Sequence, residues 1–204
     1  MAIKVANNQS LTAITALPSA VSGSAMTLLE TKTASSDATL SFTSNIDDTY
    51  DEYVFKFINI HPETNDTSFQ VNFRDGSTAY DATKTTTAFV EYHRLDDSDA
   101  AQSYRTAEDL AQSTGFQVLN IYGLNNDNDN SLSGYLHLFN PSSTTFVKHF
   151  FSRTSTENHG GASDYSVDTH IAGYCNVTAA IDGVQFKMSS DNIDAGVIKL
   201  YGIS

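Results

Sequence analysis

The sequence predicts an all-β protein built as a two-sheet sandwich, and three observations carry that expectation. Apolar residues recur at every second position through most of the chain after Leu28, the period of a half-buried strand. Turn signals such as Asp75-Gly76, Asn140-Pro141, Gly160-Gly161 and Asp182-Gly183 divide these runs into about ten short segments. Charged residues make up only 17% of the 204 positions while Thr, Ser, Asn and Gly recur, a balance that favours strands and turns over salt-bridged helices. A hydrophobic content of 40% suffices for one sizeable core.

Residues 1–27 read as an N-terminal arm, small and almost uncharged, interrupted by Pro18 and Gly23. Its apolar residues Ile3, Val5, Leu11, Ile14 and Leu17 are too sparse to form a core and too many for a solvated segment. They are the candidate anchoring or inter-subunit residues, with docking against the chain's own domain as the alternative. The sandwich spans residues 28–204. In "EYVFKFINI", Tyr53, Phe55 and Phe57 share one face and Val54, Lys56, Ile58 and Ile60 the other, so both faces are partly apolar and the strand is expected inside a sheet. "SFQVNFR" places Phe69, Val71 and Phe73 inward and Gln70, Asn72 and Arg74 outward. "TAFVEYHRL", "GFQVLNIYGL", "SGYLHLFN", "TTFVKHFFSRT", "SVDTHIAGYCNV", "GVQFKMS" and "GVIKLYGI" continue the pattern. The one helical stretch is "SDAAQSYRTAEDLAQS", residues 98–113, where Ser98 or Asp99 would cap a short helix lying over the sandwich as a lid. The final "KLYGIS" is expected to pair within a sheet, since a dangling apolar strand would be an aggregation edge.

A formal net charge of −13 and a pI near 4.5 oppose approach to a phosphate backbone, so nucleic acid is not an expected partner. The single Cys175 rules out an intrachain disulfide, and its apolar setting "IAGYCNV" reads as burial. No secretory leader pattern and no membrane-length apolar run appears, so synthesis in the cytoplasm without membrane insertion is expected. In "NNDNDNS", Asp127 and Asp129 offer oxygens at alternate positions as a Ca2+ loop would, without the bidentate Glu and Gly of an EF-hand. A polar turn accounts for the same residues. His93, His137 and His149 lie in strands and would make a metal site only if register placed them together on one face; solvent-facing positions are the plainer reading. No nucleophile elbow, HExxH or phosphate loop is present, and no catalytic residue or cofactor is assigned. Ten Tyr and twelve Phe without Trp suit either sugar contact or core packing.

The segment "AIDGVQFKMSSDNIDAGVIKLYGIS" resembles the closing hairpin of small virion proteins of tailed bacteriophages, especially those of aquatic bacteria. There a strand like "GVQFKMSS" is followed by an Asn-Ile turn, here Asn192-Ile193, then a Gly and a strand like "IKLYGI". "TLLETKTASSDATLSFTSNIDDTYDEYVFKFINIHP" is similar to the opening strands of that family. The resemblance implies a non-enzymatic jelly roll, frequently a homotrimer, attached to other virion proteins by its N-terminal arm. It would be displayed as a tail-fibre or receptor-binding appendage, with host surface glycan as a partner. A capsid decoration or cement protein is the alternative on the same fold, and a carbohydrate-binding module or tailspike-related glycan hydrolase is the alternative from another class.

Overall fold

A computed structural model describes residues 25–158 and 164–203. The proposed arm residues Ile3, Val5, Leu11, Ile14 and Leu17, and the Gly160-Gly161 turn, lie outside the described residues. Twelve strands follow in order: β1 (Met26–Asp37), β2 (Leu40–Phe42), β3 (Glu52–Pro62), β4 (Phe69–Arg74), β5 (Lys84–Arg94), β6 (Ala100–Tyr104), β7 (Gln117–Val118), β8 (Leu132–Phe139), β9 (Lys148–Asn158), β10 (Tyr165–Cys175), β11 (Gly183–Met188) and β12 (Ile193–Ile203). They form two antiparallel sheets, one of eight strands ordered β1-β12-β3-β8-β9-β10-β5-β6 and one of four ordered β2-β11-β4-β7. The chain passes repeatedly from one sheet to the other, and the space between them is the core.

That core follows from the period-two pattern. Tyr53, Phe55 and Phe57 of β3 are buried, as are Phe69, Val71 and Phe73 of β4, as the sequence pattern expects. Phe186 of β11 sits at the centre, its ring 5.2–6.2 Å from those of Phe42, Phe55, Phe57 and Phe69, mostly edge-to-face, the arrangement ring quadrupoles favour. The smaller sheet is too narrow to cover all of the larger one. The chain from Leu110 to Leu124, irregular on either side of the two-residue β7, fills the remaining inner surface, and its backbone needs polar partners there. Inward-facing threonines supply them: Thr86 Oγ1 accepts from the Leu110 amide at 2.8 Å, Thr169 Oγ1 accepts from Ile121 at 3.3 Å, and Thr154 donates to the Leu119 carbonyl. On β9, which alternates cleanly, Thr154 thus serves this segment, while the buried Ser152 donates to the Tyr135 carbonyl of β8 at 2.8 Å.

Four expectations are corrected. Residues 98–113 form no helix: Ala100–Tyr104 is edge strand β6, paired with β5, and only a single turn at Arg105–Asp109 follows. The free edge of β5 offers a full ladder of hydrogen bonds, Phe89 packs on Tyr104 at 5.0 Å, and Gln102 Nε2 donates to Glu91. Tertiary pairing thus outweighs the helix preference of the alanines. Asn72, expected in water, is buried and donates to the Thr114 carbonyl at 2.9 Å, because the Leu110–Leu124 segment covers that face. Ile60 is in the core rather than beside Val54. Asn59, at φ 49°, sits in a bulge where the β3–β8 register shifts between Phe57 and Ile60, which turns the following side chain to the opposite face. Finally, "GVQFKM" and "IDAGVIKLYGI" belong to different sheets, β11 to the smaller and β12 to the larger, so they arch across the core instead of forming a hairpin.

The registers also fix the two ends of the molecule. Tyr165 of β10 lies beside Arg94 and Asn158, and Cys175 at the other end lies beside Lys84 and Lys148. Following the ladder through β9, β8, β3 and β12, Met26 pairs with Ile203 at the Cys175 end. Met26 therefore lies at the end opposite Tyr165.

Candidate functional site

Successive residues of a strand face opposite ways, so the larger sheet presents a second, outer face. Five of the seven large hydrophobic residues exposed among the described residues lie on it: Leu28, Ile58, Phe89, Tyr104 and Phe151. Leu28, Tyr201, Val54, His137, Phe151, Ala172 and Thr87 form one row across seven strands. Beside it run Lys199, Lys56, Tyr135, Arg153, His170, Phe89 and Tyr104. Val54 is buried although it points away from the core, shielded by these larger neighbours.

Strand β8 contributes Tyr135, His137 and Phe139, and β9 contributes Phe151. His137 stacks on Phe151 at 4.7 Å, Phe139 lies 5.5 Å from Phe151 and Tyr135 lies 6.4 Å from it. Phe151 is 39% exposed and Phe89 40%. Between them the small side chains of Ala172 and Thr87 leave a depression of about 340 Å3, also bordered by Tyr135, Arg153 and His170. A second hollow of about 390 Å3 continues past Gly173 toward His149 and Tyr174.

Charges on this face are mixed. Arg153 donates from Nε to both carboxylate oxygens of Asp168, at 2.9 and 3.1 Å, which holds the guanidinium pKa above its ordinary value. Glu91, Asp168 and His170 place ligating atoms within 4.8 Å of one another. Arg153 already supplies the cation there, and Gln102 caps Glu91, so a metal ion would have to displace a guanidinium.

The sequence-singled residues are dispersed. Asp127 and Asp129 are exposed on a turn closed by the Asn130 amide donating to the Asp127 carbonyl at 3.0 Å, and His61 contacts that same carbonyl. They join no cluster of three ligating side chains among the described residues. His93, His137 and His149 all stand on the outer face but go to separate neighbours, Asp97, Glu52 and Tyr174. Cys175 is buried between Lys84 and Lys148, both also fully buried. Lys84 Nζ donates to the carbonyls of Ala82 and Gly115, and Lys148 Nζ to that of Val177. Desolvation lowers the Lys84 pKa to about 8 and depresses Lys148 in the same direction, while burial raises the Cys175 thiol to about 12. A thiol held protonated in this way is a poor nucleophile.

The outer aromatic face was not singled out from the sequence. Its signal is the run "GYLHLF", where Tyr135, His137 and Phe139 alternate with the core residues Leu136 and Leu138, so that neither face of the strand is polar. Compared with known protein families, curated proteins and solved structures, the chain matches none.

Proposed function

We propose that this protein is a non-enzymatic structural module of a bacteriophage virion, a jelly-roll appendage that assembles as a homo-oligomer through the outer face of its eight-stranded sheet. The virion assignment rests on the sequence resemblance, and the observation that carries association is that face: exposed Phe151 with half-buried Tyr135, His137 and Phe139 packed around it on an otherwise acidic protein. Bringing like copies of a chain with net charge −13 together is opposed by repulsion. Lys56, Lys199 and Arg153 stand among Glu52, Glu91, Glu157 and Asp168 on this face, so it is locally less acidic than the whole. Three copies, as the sequence resemblance implies, would cover the aromatic area while leaving the ends of each sandwich open.

The placement of Met26 suits such an arrangement. A segment preceding it would reach the particle from one end, with the opposite end outermost, as expected of a tail-fibre or receptor-binding component.

Phage particles assembled with a chain lacking Met1 to Gly23 test the attachment: the truncated protein is expected to fold and to be missing from purified particles. Its incorporation at normal levels would refute the anchoring role. Immunogold labelling of intact particles is expected at the tail, and labelling spread over the head would assign the decoration role instead.

A further inference from the structure

At the end of the sandwich opposite Met26, a cleft of about 290 Å3 is bordered by Tyr92, Arg94, Asp99, Tyr122, Asn158 and Tyr165. Its construction is distinct from the aromatic outer face. Tyr122 and Tyr165 lie nearly parallel, with centroids 6.3 Å apart and planes at 23°, and Tyr92 stands edge-on to both. The Arg94 guanidinium lies over the Tyr165 ring at 4.5 Å and Arg105 over Tyr122 at 5.6 Å. Because cations and neighbouring rings occupy so much of this ring area, the cleft offers polar edges to a ligand more than stacking faces.

Those polar groups are held in place. The Tyr92 hydroxyl donates to Asp99 Oδ2 at 2.9 Å, a bond that keeps the phenol protonated by raising its pKa. Arg94 donates from Nη2 to the Tyr165 hydroxyl, its backbone amide binds the Asp99 carbonyl at 2.9 Å, and its Nε carries no hydrogen bond. The β5–β6 hairpin that carries Asp99 is braced by Asp96 accepting from the amide and hydroxyl of Ser98. Asn158 Nδ2 is committed to the Gly123 carbonyl, which leaves its amide oxygen as an acceptor.

We infer that this cleft binds a single uncharged sugar unit, a hexose or N-acetylhexosamine, of a surface glycan. This deepens the appendage reading on which it rests. The volume lies near the lower limit of small-molecule sites, roughly 300 Å3, and so admits one ring rather than a chain of them. A rim that alternates guanidinium, carboxylate, amide and phenol matches a ring carrying hydroxyls in several directions, each able to donate and accept. Phosphorylated or otherwise strongly anionic ligands are disfavoured by the net charge of −13 and by Asp99 at the rim. The position completes the argument, since the cleft faces away from the end where residues preceding Met26 would attach.

Saturation-transfer NMR on the full-length chain tests this with glucose, galactose, mannose, rhamnose, N-acetylglucosamine and N-acetylgalactosamine. At least one sugar is expected to receive saturation, and D99N and Y165F are each expected to weaken it by about fivefold or more. Asp99 is exposed on a hairpin loop, so D99N should keep the native melting temperature and report binding alone. Absence of transfer to all six sugars, or transfer that both substitutions leave intact, would overturn the inference. Neither result bears on incorporation into particles, so the attachment reading stands or falls separately.

Discussion

Lys84, Cys175 and Lys148 are three adjacent residues across β5, β10 and β9, all buried, and they give the protein a defined pH signature. With a folded pKa of about 8 against an ordinary 10.5, Lys84 binds its proton more readily in the unfolded chain. Its contribution to stability is therefore unfavourable below pH 8 and improves as pH rises from about 8 toward 10.5. The Cys175 thiol, raised from 9.0 to about 12, acts with the opposite sign, losing stability between those values. The difference in melting temperature between K84M and the native chain should consequently move in favour of the native chain between about pH 7 and pH 9. A difference that stays constant over that interval would contradict the burial of an ionisable Lys84. Cys175 should resist alkylation in the folded protein and react only after denaturation; rapid native labelling would show the thiol to be accessible. Burial of Cys175 was legible from its apolar neighbours, whereas the two lysines flanking it were not, because only strand register brings positions 84, 148 and 175 together.

At the scale of elements, alternation in the sequence correctly placed Phe69, Val71 and Phe73 inward, and Tyr53, Phe55 and Phe57 likewise. It failed where a strand changes phase or where an unforeseen neighbour decides the environment. Asn59 reverses the phase of β3, the Leu110–Leu124 segment buries Asn72, and the open edge of β5 recruits a stretch that local preference would make helical. Opposite the Asn59 bulge lies Gly196, at φ +126°, where an added Cβ would meet the Asn59 carbonyl oxygen at 2.7 Å and Ile60 Cα at 2.8 Å. G196A should therefore destabilise the fold by about 2 kcal/mol or more, read from chemical denaturation; a change of only a few tenths would show that this crossing relaxes freely. F186A, at the centre of the ring cluster, should cost about 3–5 kcal/mol. F146A, at a residue 70% exposed, should stay within about 0.5 kcal/mol.

On the scale of the whole molecule, the two sheets separate three tasks. The core holds the sandwich without disulfides, the outer face of the larger sheet carries the aromatic surface proposed for association, and the tyrosine-rich cleft lies at the end away from Met26. The cleft was invisible in the sequence because Tyr92, Tyr122 and Tyr165 come from β5, the segment after β7, and β10, with ordinary neighbours in each case. The outer face was partly visible in "GYLHLF", but its extent depends on the order of eight strands. Light scattering reads out association through that face on the full-length chain, on a chain lacking Met1 to Gly23, and on F151D, which places a carboxylate among Tyr135, His137 and Phe139. The first two should have three times the 22.1 kDa chain mass or, for the shorter chain, three times its own, and F151D should be monomeric with native strand content and a melting temperature lowered by the loss of association. An F151D oligomer of native size, or dissociation caused by the truncation alone, would contradict assembly through the outer face.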